Sequence, residues 1–551
     1  MERRLIVIGL DGATFGIIDP MVRENKLPVI SRLMDEGGRS ILQSSIPPLT
    51  VPAWPCFYTG KNPGKFGAFD FFVRRDREIE RIVNRLDVKA NSVWGILSHK
   101  GLRSIVMNVP TTYPPEPIDG VIVSGMLTPR GRSFVHPPHY RERLDQFSGG
   151  YLINEDSALV NKPHGKEFLA GLIDVAVRQK KAFMSLLETE KWDFAMIVFR
   201  GTDIVQHVLW EYPDKIHSFY ATVDSLIGEI IGAFPETSVL IMSDHGFGPY
   251  RYVFDLNKWL IEEGYLKVMG EVVDPSEELA LLRQRGGEEY TDGKRGTSFI
   301  RWLGKHGLHK KNIRKLLPRA MIDGAARLLP KLRTLPDVSY KVDFSHSRAH
   351  AVIPFVSEAY SVHLISKRED YPENDSLHGY GSLRSEIMQK LKELRNPHTG
   401  RRIFETVYSR EELFRGEFLD RAPDIICAPE DDILVPAHIT EEGEILYEAR
   451  KVAARHRCDG VLIAHGRNFD MESFPEVASI LDLAPSILHF FGLDIDPEMD
   501  GEVLGIFESE VARHDHIRYS TYPFLVESIS SQEGKGADEE ILKRLKGLGY
   551  L

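Results

Sequence analysis

The sequence predicts an α/β fold with a mostly parallel central sheet flanked by helices. Apolar runs typical of buried strands alternate with helical patterns, which favours parallel strands joined by crossover helices. Three of these runs end directly in polar residues: Leu5–Leu10, Phe194–Phe199 and Ser238–Met242. Ligands of open α/β sheets bind beyond the carboxyl ends of the strands. The polar residues after these three runs are therefore the expected location of a functional site.

The composition is that of an ordinary globular protein. The chain has 551 residues, of which 42% are hydrophobic and 27% charged, enough for one large α/β domain with insertions. The net charge of -11 argues against general nucleic-acid binding, and we expect no specific nucleic-acid partner. The cysteines, Cys56, Cys427 and Cys458, form no metal-binding spacing and suit a reducing compartment.

The N-terminus and the hydropathy pattern bear on location. The N-terminal MERRLIVIGLDG leads directly into the first predicted strand. A signal peptide would have to include that strand, so none is expected. No run of about 18 uncharged apolar residues is present. We therefore expect a cytoplasmic protein.

Changes in pattern divide the chain into five predicted parts. The first part of the core is expected over 1–256 and the second over 437–506, with two insertions between them. The first insertion, 257–345, is predicted to be helical and basic, and the second, 346–436, to be a small α+β cap. Residues 507–551 are predicted to be a C-terminal tail with a short helix over 539–546.

Seven side chains with metal-binding or nucleophilic chemistry follow predicted strands or lie in the turns after them. They are Asp11, Thr50, Asp203, His207, Asp244, His245 and His456. Three carboxylates and three imidazoles can hold two divalent cations, with a threonine oxygen directed at the pair. Two cations a few ångströms apart can hold both the attacking and the leaving oxygen of a phosphoryl transfer. The set predicts an enzyme.

Each member of this set also has an ordinary structural interpretation. Asp11 could be a turn residue, Thr50 a helix cap and His456 a surface histidine. Asp203 and His207 are spaced i, i+4, so on a helix they share one face and could form a surface hydrogen bond. The joint occurrence in this order favours the catalytic interpretation.

The motifs that contain these residues resemble a known family. LDGATF, LTVPAWPCFYTGKNPGKFGAFDF, GTDIVQHVLWEY, SDHGFGPY and HRCDGVLIAHG are similar to motifs of the alkaline phosphatase superfamily. The nearest branch is the type I phosphodiesterase/nucleotide pyrophosphatase group, including its prokaryotic phosphohydrolase/phosphomutase members. The resemblance covers roughly residues 1–256 and 346–505, and it implies an alkaline-phosphatase-like core.

The resemblance also implies a role for each candidate residue. One cation would be held by Asp203, His207 and His456, and the other by Asp11, Asp244, His245 and the Thr50 oxygen. Mixed carboxylate and imidazole ligands suit Zn²⁺, with Mn²⁺ as the alternative. Thr50 would be the nucleophile and would pass through a phosphothreonine intermediate.

Two further residues are expected near the substrate. Alkaline phosphatases bind a phosphate oxygen with an arginine, and Arg200 or Lys61 is the candidate for that contact here. Cys56 lacks the C-x-P-x-R signature of the sulfatases, which argues against a sulfatase. The substrate is expected to be a phosphorylated small molecule or a nucleotide-like compound, cleaved as a phosphodiester or nucleotide pyrophosphate. The alternatives are a phosphomutase or phosphomonoesterase, and a catalytically silent membrane-surface or scaffold protein.

The first insertion contains a strongly basic stretch. Residues 294–333 include twelve Lys or Arg against one acidic residue, Asp323, and apolar residues such as Trp302 and Leu303 lie between them. An ordinary solvated helix would explain the pattern. The alternative is a surface that meets anionic lipid or a polyanionic substrate, and contact with lipid would make the protein peripheral at a membrane.

Overall fold

A nine-stranded sheet forms the centre of the molecule. The computed structural model describes residues 3–75, 78–153, 166–273, 337–351, 358, 360–365, 379–437, 443–508, 511, 517–525 and 541. Its strands are β1 (Leu5–Leu10), β2 (Gly38–Gln43), β3 (Phe72–Arg75), β4 (Glu78–Ile82), β5 (Ser104–Met107), β6 (Gly120–Val123), β7 (Val135–His136), β8 (Phe194–Phe199), β9 (Ser238–Met242), β10 (Gly246–Phe254), β11 (Val268–Val273), β12 (Asp337–Val342), β13 (Ala349–His350), β14 (Ser361–Leu364), β15 (Phe404–Ser409), β16 (Ile425–Pro429), β17 (Ile433–Leu434), β18 (Leu446–Arg457), β19 (Asp459–His465) and β20 (Val477–Ser479).

Helices connect and cover these strands. They are α1 (Phe15–Arg23), α2 (Pro28–Asp35), α3 (Thr50–Thr59), α4 (Pro63–Phe66), α5 (Val93–His99), α6 (Tyr140–Ser148), α7 (Lys166–Thr189), α8 (Gly201–Leu209), α9 (Pro213–Ala233), α10 (Leu256–Glu262), α11 (Tyr380–Glu393), α12 (Arg410–Leu413) and α13 (Leu483–Phe490). Helices α2, α7 and α8 pack against α9, while α3 and α5 pack against each other and against α13.

The central sheet is mostly parallel, as predicted. Its strand order is β20-β2-β19-β9-β1-β8-β5-β6-β7. Neighbours from β9 to β6 pair in parallel, whereas β19 is antiparallel to both β2 and β9 and β7 is antiparallel to β6. Every residue of β1, β8 and β9 is buried, because a sheet covered on both faces selects continuous apolar runs. The carboxyl ends of these three adjacent strands lie at one edge.

Two smaller sheets lie beside the central one. Strand β10 pairs with β17 and β18, and this three-stranded sheet brings the residues before Asp459 back beside the end of β9. Strands β13, β14, β16 and β15 form a four-stranded sheet that α11 covers. This second sheet and α11 lie within 346–436, and the assignment of that range as a separate cap stays a prediction.

The first insertion differs in part from its prediction. The described ends of 257–345 contain most of α10 and an antiparallel pair formed by β11 and β12, so the segment is not purely helical. The basic stretch 294–333 lies outside the described residues, and so does the predicted helix over 539–546 except for Ile541. No helix in the described part of the chain is long and apolar enough to cross a membrane.

Candidate active site

The candidate ligands converge where β1, β8 and β9 end. Asp11 follows β1, Asp244 and His245 follow β9, and Asp203 lies in the first turn of α8, just after β8. Because β1 pairs with both β8 and β9, these three turns are neighbours. The side chains of all four residues have no exposed surface.

Two glycines permit this close convergence. Gly12 has a φ of +65°, and a Cβ at this position would lie 2.9 Å from Asp203 Oδ1. Its N–H donates to Asp244 Oδ1 at 3.1 Å, so the turn after β1 also orients the carboxylate after β9. A Cβ on Gly246 would lie 2.0 Å from the carbonyl oxygen of Asp459. Close approach of β10 to the start of β19 therefore requires glycine there.

A first group of ligand atoms consists of one carboxylate oxygen and two imidazole nitrogens. Asp203 Oδ1 lies 3.4 Å from His207 Nε2 and 3.4 Å from His456 Nε2, and the two nitrogens lie 2.8 Å apart. His456 comes from β18, opposite Phe247 of β10. Its Nδ1 lies 3.1 Å from the carbonyl oxygen of Pro48. Donation of a proton to that carbonyl leaves Nε2 as a lone-pair donor toward the group.

A second group lies beside the first and includes the hydroxyl. His245 Nε2 lies 3.7 Å from Asp11 Oδ1, 3.4 Å from Asp244 Oδ2 and 3.3 Å from Thr50 Oγ1. His245 Nδ1 lies 3.1 Å from the carbonyl oxygen of Gly246, which again leaves Nε2 to face the group. The rings of His245 and His456 stack with centroids 3.9 Å apart, so the two groups form one cluster.

Burial and mutual repulsion control the protonation of the carboxylates. Burial, together with the charges of Asp244 and Asp203, raises the pKa of Asp11 well above its ordinary value. Burial raises the pKa of Asp244 to about 7, and the charge of Asp203 adds to this effect. Burial acts on Asp203 in the same direction, but the nearby charges of His207 and His456 outweigh it and lower its pKa.

The histidines are affected unequally. Burial lowers the pKa of His207 to about 4, although the charge of Asp203 opposes the change. Burial and the charge of His456 lower the pKa of His245 well below its ordinary value. For His456 burial acts in the same direction, but a hydrogen bond with Asp203 and its charge raise the pKa overall. His207 and His245 are therefore neutral near pH 7, as metal ligation requires.

The donor set fits divalent cations. In the described part of the chain, neither carboxylate oxygen of Asp11 accepts a hydrogen bond. Of the two oxygens of Asp244, only Oδ1 accepts one, from the N–H of Gly12. Leaving a buried carboxylate without a partner costs free energy unless a cation or a proton compensates it. Two sets of ligand atoms each lie within 4.8 Å of one another: Asp203, His245 and His456, and Asp11, Asp244 and His245. Carboxylate oxygens with imidazole nitrogens are a ligand mixture that suits zinc.

Thr50 enters the cluster as the first residue of α3. The N-cap of this helix is Leu49, so Thr50 is not the capping residue. All ten residues of α3 are buried. Trp54 packs on Gly9 of β1 so closely that a Cβ on Gly9 would lie 2.6 Å from Trp54 Cη2. This contact seats the N-terminal turn of α3 above the end of β1.

The two predicted substrate contacts differ in position. Arg200 is the N-cap residue of α8, and its charge affects the pKa values of both Asp11 and His207. Lys61 follows the opposite end of α3, about 15 Å along the helix from Thr50 at 1.5 Å per residue. Its ammonium lies 3.0 Å from Asp496 Oδ2 and 2.9 Å from Glu498 Oε2. These ion pairs favour Arg200 over Lys61 as the substrate contact, and both assignments stay predictions.

Comparison with known sequences identifies the family of this chain. The family described as type I phosphodiesterase/nucleotide pyrophosphatase matches residues 5–313. The chain belongs to this family. The matched range covers more than half of the 551 residues and contains all the candidate ligands except His456. No protein with a curated description matches this family member significantly.

Solved structures were compared with this fold. Phosphonoacetate hydrolase from Sinorhizobium meliloti 1021, in complex with phosphonoformate, is 14% identical to this chain, with a TM-score of 0.50. The match covers 88% of the phosphodiesterase-family chain and 94% of the hydrolase chain. Murine ectonucleotide pyrophosphatase/phosphodiesterase 5 is 13% identical with a TM-score of 0.47, over 92% and 100% of the two chains. The first match confirms the alkaline-phosphatase-like fold and, at this identity, nothing finer.

Proposed function

We propose that this protein is a phosphoester hydrolase that uses Thr50 as its nucleophile and two divalent cations, Zn²⁺ in preference to Mn²⁺. The observation that carries the proposal is the position of Thr50 Oγ1, 3.3 Å from His245 Nε2. Beside it lies the Asp11 carboxylate, neither oxygen of which accepts a hydrogen bond in the described part of the chain. Membership of the type I phosphodiesterase/nucleotide pyrophosphatase family supports the same reaction class.

The chemistry assigns a role to each element of the site. A threonine hydroxyl is a poor nucleophile, and bound divalent cations would lower its pKa and neutralise phosphate charge. The N-terminus of α3 presents backbone N–H groups that lack intrahelical acceptors. These groups and the helix dipole favour the negative charge that develops on phosphorus-bound oxygens. Burial of Thr50 excludes bulk water before the phosphothreonine forms.

Each of the two groups of ligand atoms in the candidate active site would hold one of the proposed cations. Asp203, His207 and His456 would hold one cation, and Asp11, Asp244, His245 and the Thr50 oxygen the other. Arg200 would contact the substrate phosphate, since its charge lowers the pKa values of both Asp11 and His207. The preferred substrates would be phosphodiesters or nucleotide pyrophosphates, as in the family name.

A phosphomutase or phosphomonoesterase is the second candidate. Thr50 and four of the candidate ligands have no exposed surface, and a site that excludes water favours return of the phosphoryl group to substrate. The membrane-surface interpretation of 294–333 and the cytoplasmic location are not supported by the described residues, and both stay predictions.

Hydrolysis of two chromogenic esters tests the proposal. The metal content of purified protein should be about two divalent cations per chain, and bis-p-nitrophenyl phosphate should be cleaved faster than p-nitrophenyl phosphate. Thr50→Ala should lower kcat by several orders of magnitude, while Thr50→Ser should retain activity because serine supplies the same oxygen. An unchanged kcat in Thr50→Ala, at full metal content, would contradict the proposed nucleophile.

A further inference from the structure

The turn that follows β5 is conformationally unusual. Among the described residues, four that are not glycine have positive φ: Asn25, Asn108, Thr111 and Leu127. Asn108 and Thr111 both lie in the turn after β5, with φ values of 64° and 63°. A β-branched residue in this region is strained, and such strain concentrates at functional sites. The turn lies at the same sheet edge as the ligand cluster because β5 pairs in parallel with β8.

Local contacts hold this turn rigidly. Thr112 Oγ1 donates to the carbonyl oxygen of Val109 at 2.6 Å, and Gly125 N donates to Thr112 Oγ1 at 3.1 Å. Tyr58 of α3 contributes its hydroxyl, which lies 3.2 Å from Thr111 Oγ1. The helix that carries Thr50 therefore also contacts the strained turn.

The carboxamide of Asn108 has a hydrogen-bond partner at its oxygen and none, among the described residues, at its nitrogen. Its side chain is buried, with 5% of its surface exposed. The Tyr151 hydroxyl donates to Oδ1, which fixes the orientation of the carboxamide. Within the described part of the chain, Nδ2 has no hydrogen-bond partner. A buried N–H donor without an acceptor is costly, so an acceptor from outside the described residues is expected for this atom.

A small cavity joins Asn108 to Arg200. Both residues line it, together with Gln179, and its volume is about 10 Å³, room for one oxygen-sized atom. Gln179 Nε2 donates to the carbonyl oxygens of Leu152 and Ile153, so its amide nitrogen already has acceptors. The other lining residues are apolar or glycine, so Asn108 and Arg200 are the residues that can offer further donors to this space.

We propose that Asn108 is a substrate-binding residue whose Nδ2 donates, beside Arg200, to one anionic oxygen of the phosphoester. The inference rests on the proposed phosphoester hydrolase and adds a specific contact to it. The strand order gives the direction of this contact along the sheet edge. Asp11 follows β1, Arg200 follows the neighbouring β8, and Asn108 follows β5, the next strand. Adjacent strands are about 4.8 Å apart. The contact thus lies on the β8–β5 side of the cluster, whereas His245 and its neighbour Thr50 lie toward β9.

Two substitutions separate binding from a structural role. Asn108→Asp keeps the shape, tolerates positive φ and can still accept from Tyr151, but it replaces the donor by a negative oxygen. Asn108→Ala simply removes the donor. A structural role predicts that Asp is tolerated better than Ala. Donation to an anionic oxygen predicts the reverse, with about a 10- to 150-fold loss for Ala and a larger loss for Asp.

The measurements are the affinity for inorganic phosphate, by calorimetry on metal-loaded protein, and kcat and KM for bis-p-nitrophenyl phosphate. Asn25→Ala is the matched control, since it makes the same change at an exposed asparagine with a φ of 55° and should leave both unchanged. Tyr151→Phe should weaken phosphate binding less than Asn108→Ala, because the amide is retained but no longer oriented.

The outcomes separate the two proposals. Phosphate affinity falling in the order wild type, Asn108→Ala, Asn108→Asp supports the contact, even if the esters tested are poor substrates. Variants that bind phosphate like Asn25→Ala, or an Asn108→Asp variant that matches wild type, would overturn the contact and leave the hydrolase proposal intact.

Discussion

Replacement of Asp244 by asparagine should stabilise the metal-free protein and weaken its response to metal. Asp244 is fully buried, and its Oδ2 has no hydrogen-bond partner among the described residues. The amide oxygen of the introduced asparagine would still accept from the N–H of Gly12, as Oδ1 of Asp244 does, while the charge is removed. The substitution therefore separates the cost of burying a carboxylate from its use as a ligand.

The magnitude follows from the pKa of Asp244. A native value of about 7 against an ordinary 3.8 is a difference of about three, and each unit corresponds to about 1.4 kcal/mol. The native pKa is raised, so the favourable contribution of the protonated form is complete below pH 3.8 and is lost as the pH rises through 7. At pH 8 the metal-free Asp244→Asn protein should be more stable by about 4 kcal/mol, and at pH 4 by close to nothing.

Urea unfolding of metal-stripped protein at pH 8 and pH 5 measures this effect. The Asp244→Asn midpoint should be higher at pH 8, with a smaller difference at pH 5. Excess Zn²⁺ should stabilise wild type more than the variant, because binding energy adds to folding stability. The comparison is Asp224→Asn, since Asp224 is buried but accepts from the N–H groups of Val29 and Ile30. Burial raises the pKa of Asp224 while these hydrogen bonds lower it, so the gain at pH 8 should have the same direction and be smaller. A less stable metal-free Asp244→Asn protein at pH 8 would refute the reasoning.

Three further outcomes are expected. Gly9→Ala should destabilise the fold by about 1–3 kcal/mol and reduce kcat, because a Cβ would lie 2.6 Å from Trp54 Cη2 and displace α3; unchanged thermal stability would contradict the packing argument. Lys61→Ala should cost about 3 kcal/mol, since it leaves the charge of the buried Asp496 without its ammonium partner, while kcat stays at the parent value. A large loss of kcat would instead support Lys61 as a substrate contact. Metal affinity should fall as the pH drops below about 7, because Asp11 and Asp244 have raised pKa values and must lose protons to bind a cation. Calorimetry of metal binding at pH 6 in two buffers should detect this proton release, and binding heats that do not depend on the buffer would contradict the prediction.

The strands that carry the ligands could be predicted from sequence. The runs Leu5–Leu10, Phe194–Phe199 and Ser238–Met242 are strands with these same bounds, because full burial on both faces leaves an uninterrupted apolar signal. Polar residues directly after such runs then indicate the carboxyl edge of the sheet. The convergence of Asp11, Asp203 and Asp244 follows from that rule.

Other features depend on contacts that are distant in sequence. His456 lies on β18, outside the central sheet, and reaches the cluster only because β18 pairs with β10. The position of Lys61 depends on the direction of α3 and on partners more than 430 residues later. Asn108 gave a weak signal, an amide directly after the apolar strand β5. Its availability as a donor depends on Tyr151, whose position no local pattern indicates.

Covalent labelling of Thr50 tests the central claim most directly. Metal-loaded protein would be mixed with excess bis-p-nitrophenyl phosphate, quenched in acid during turnover, digested and examined by peptide mass spectrometry. We predict a nitrophenylphosphoryl group on the peptide that contains Thr50, absent from Thr50→Ala and from metal-stripped protein. Continued hydrolysis by wild type without any modified Thr50, under quench conditions that preserve phosphothreonine diesters, would contradict the covalent mechanism.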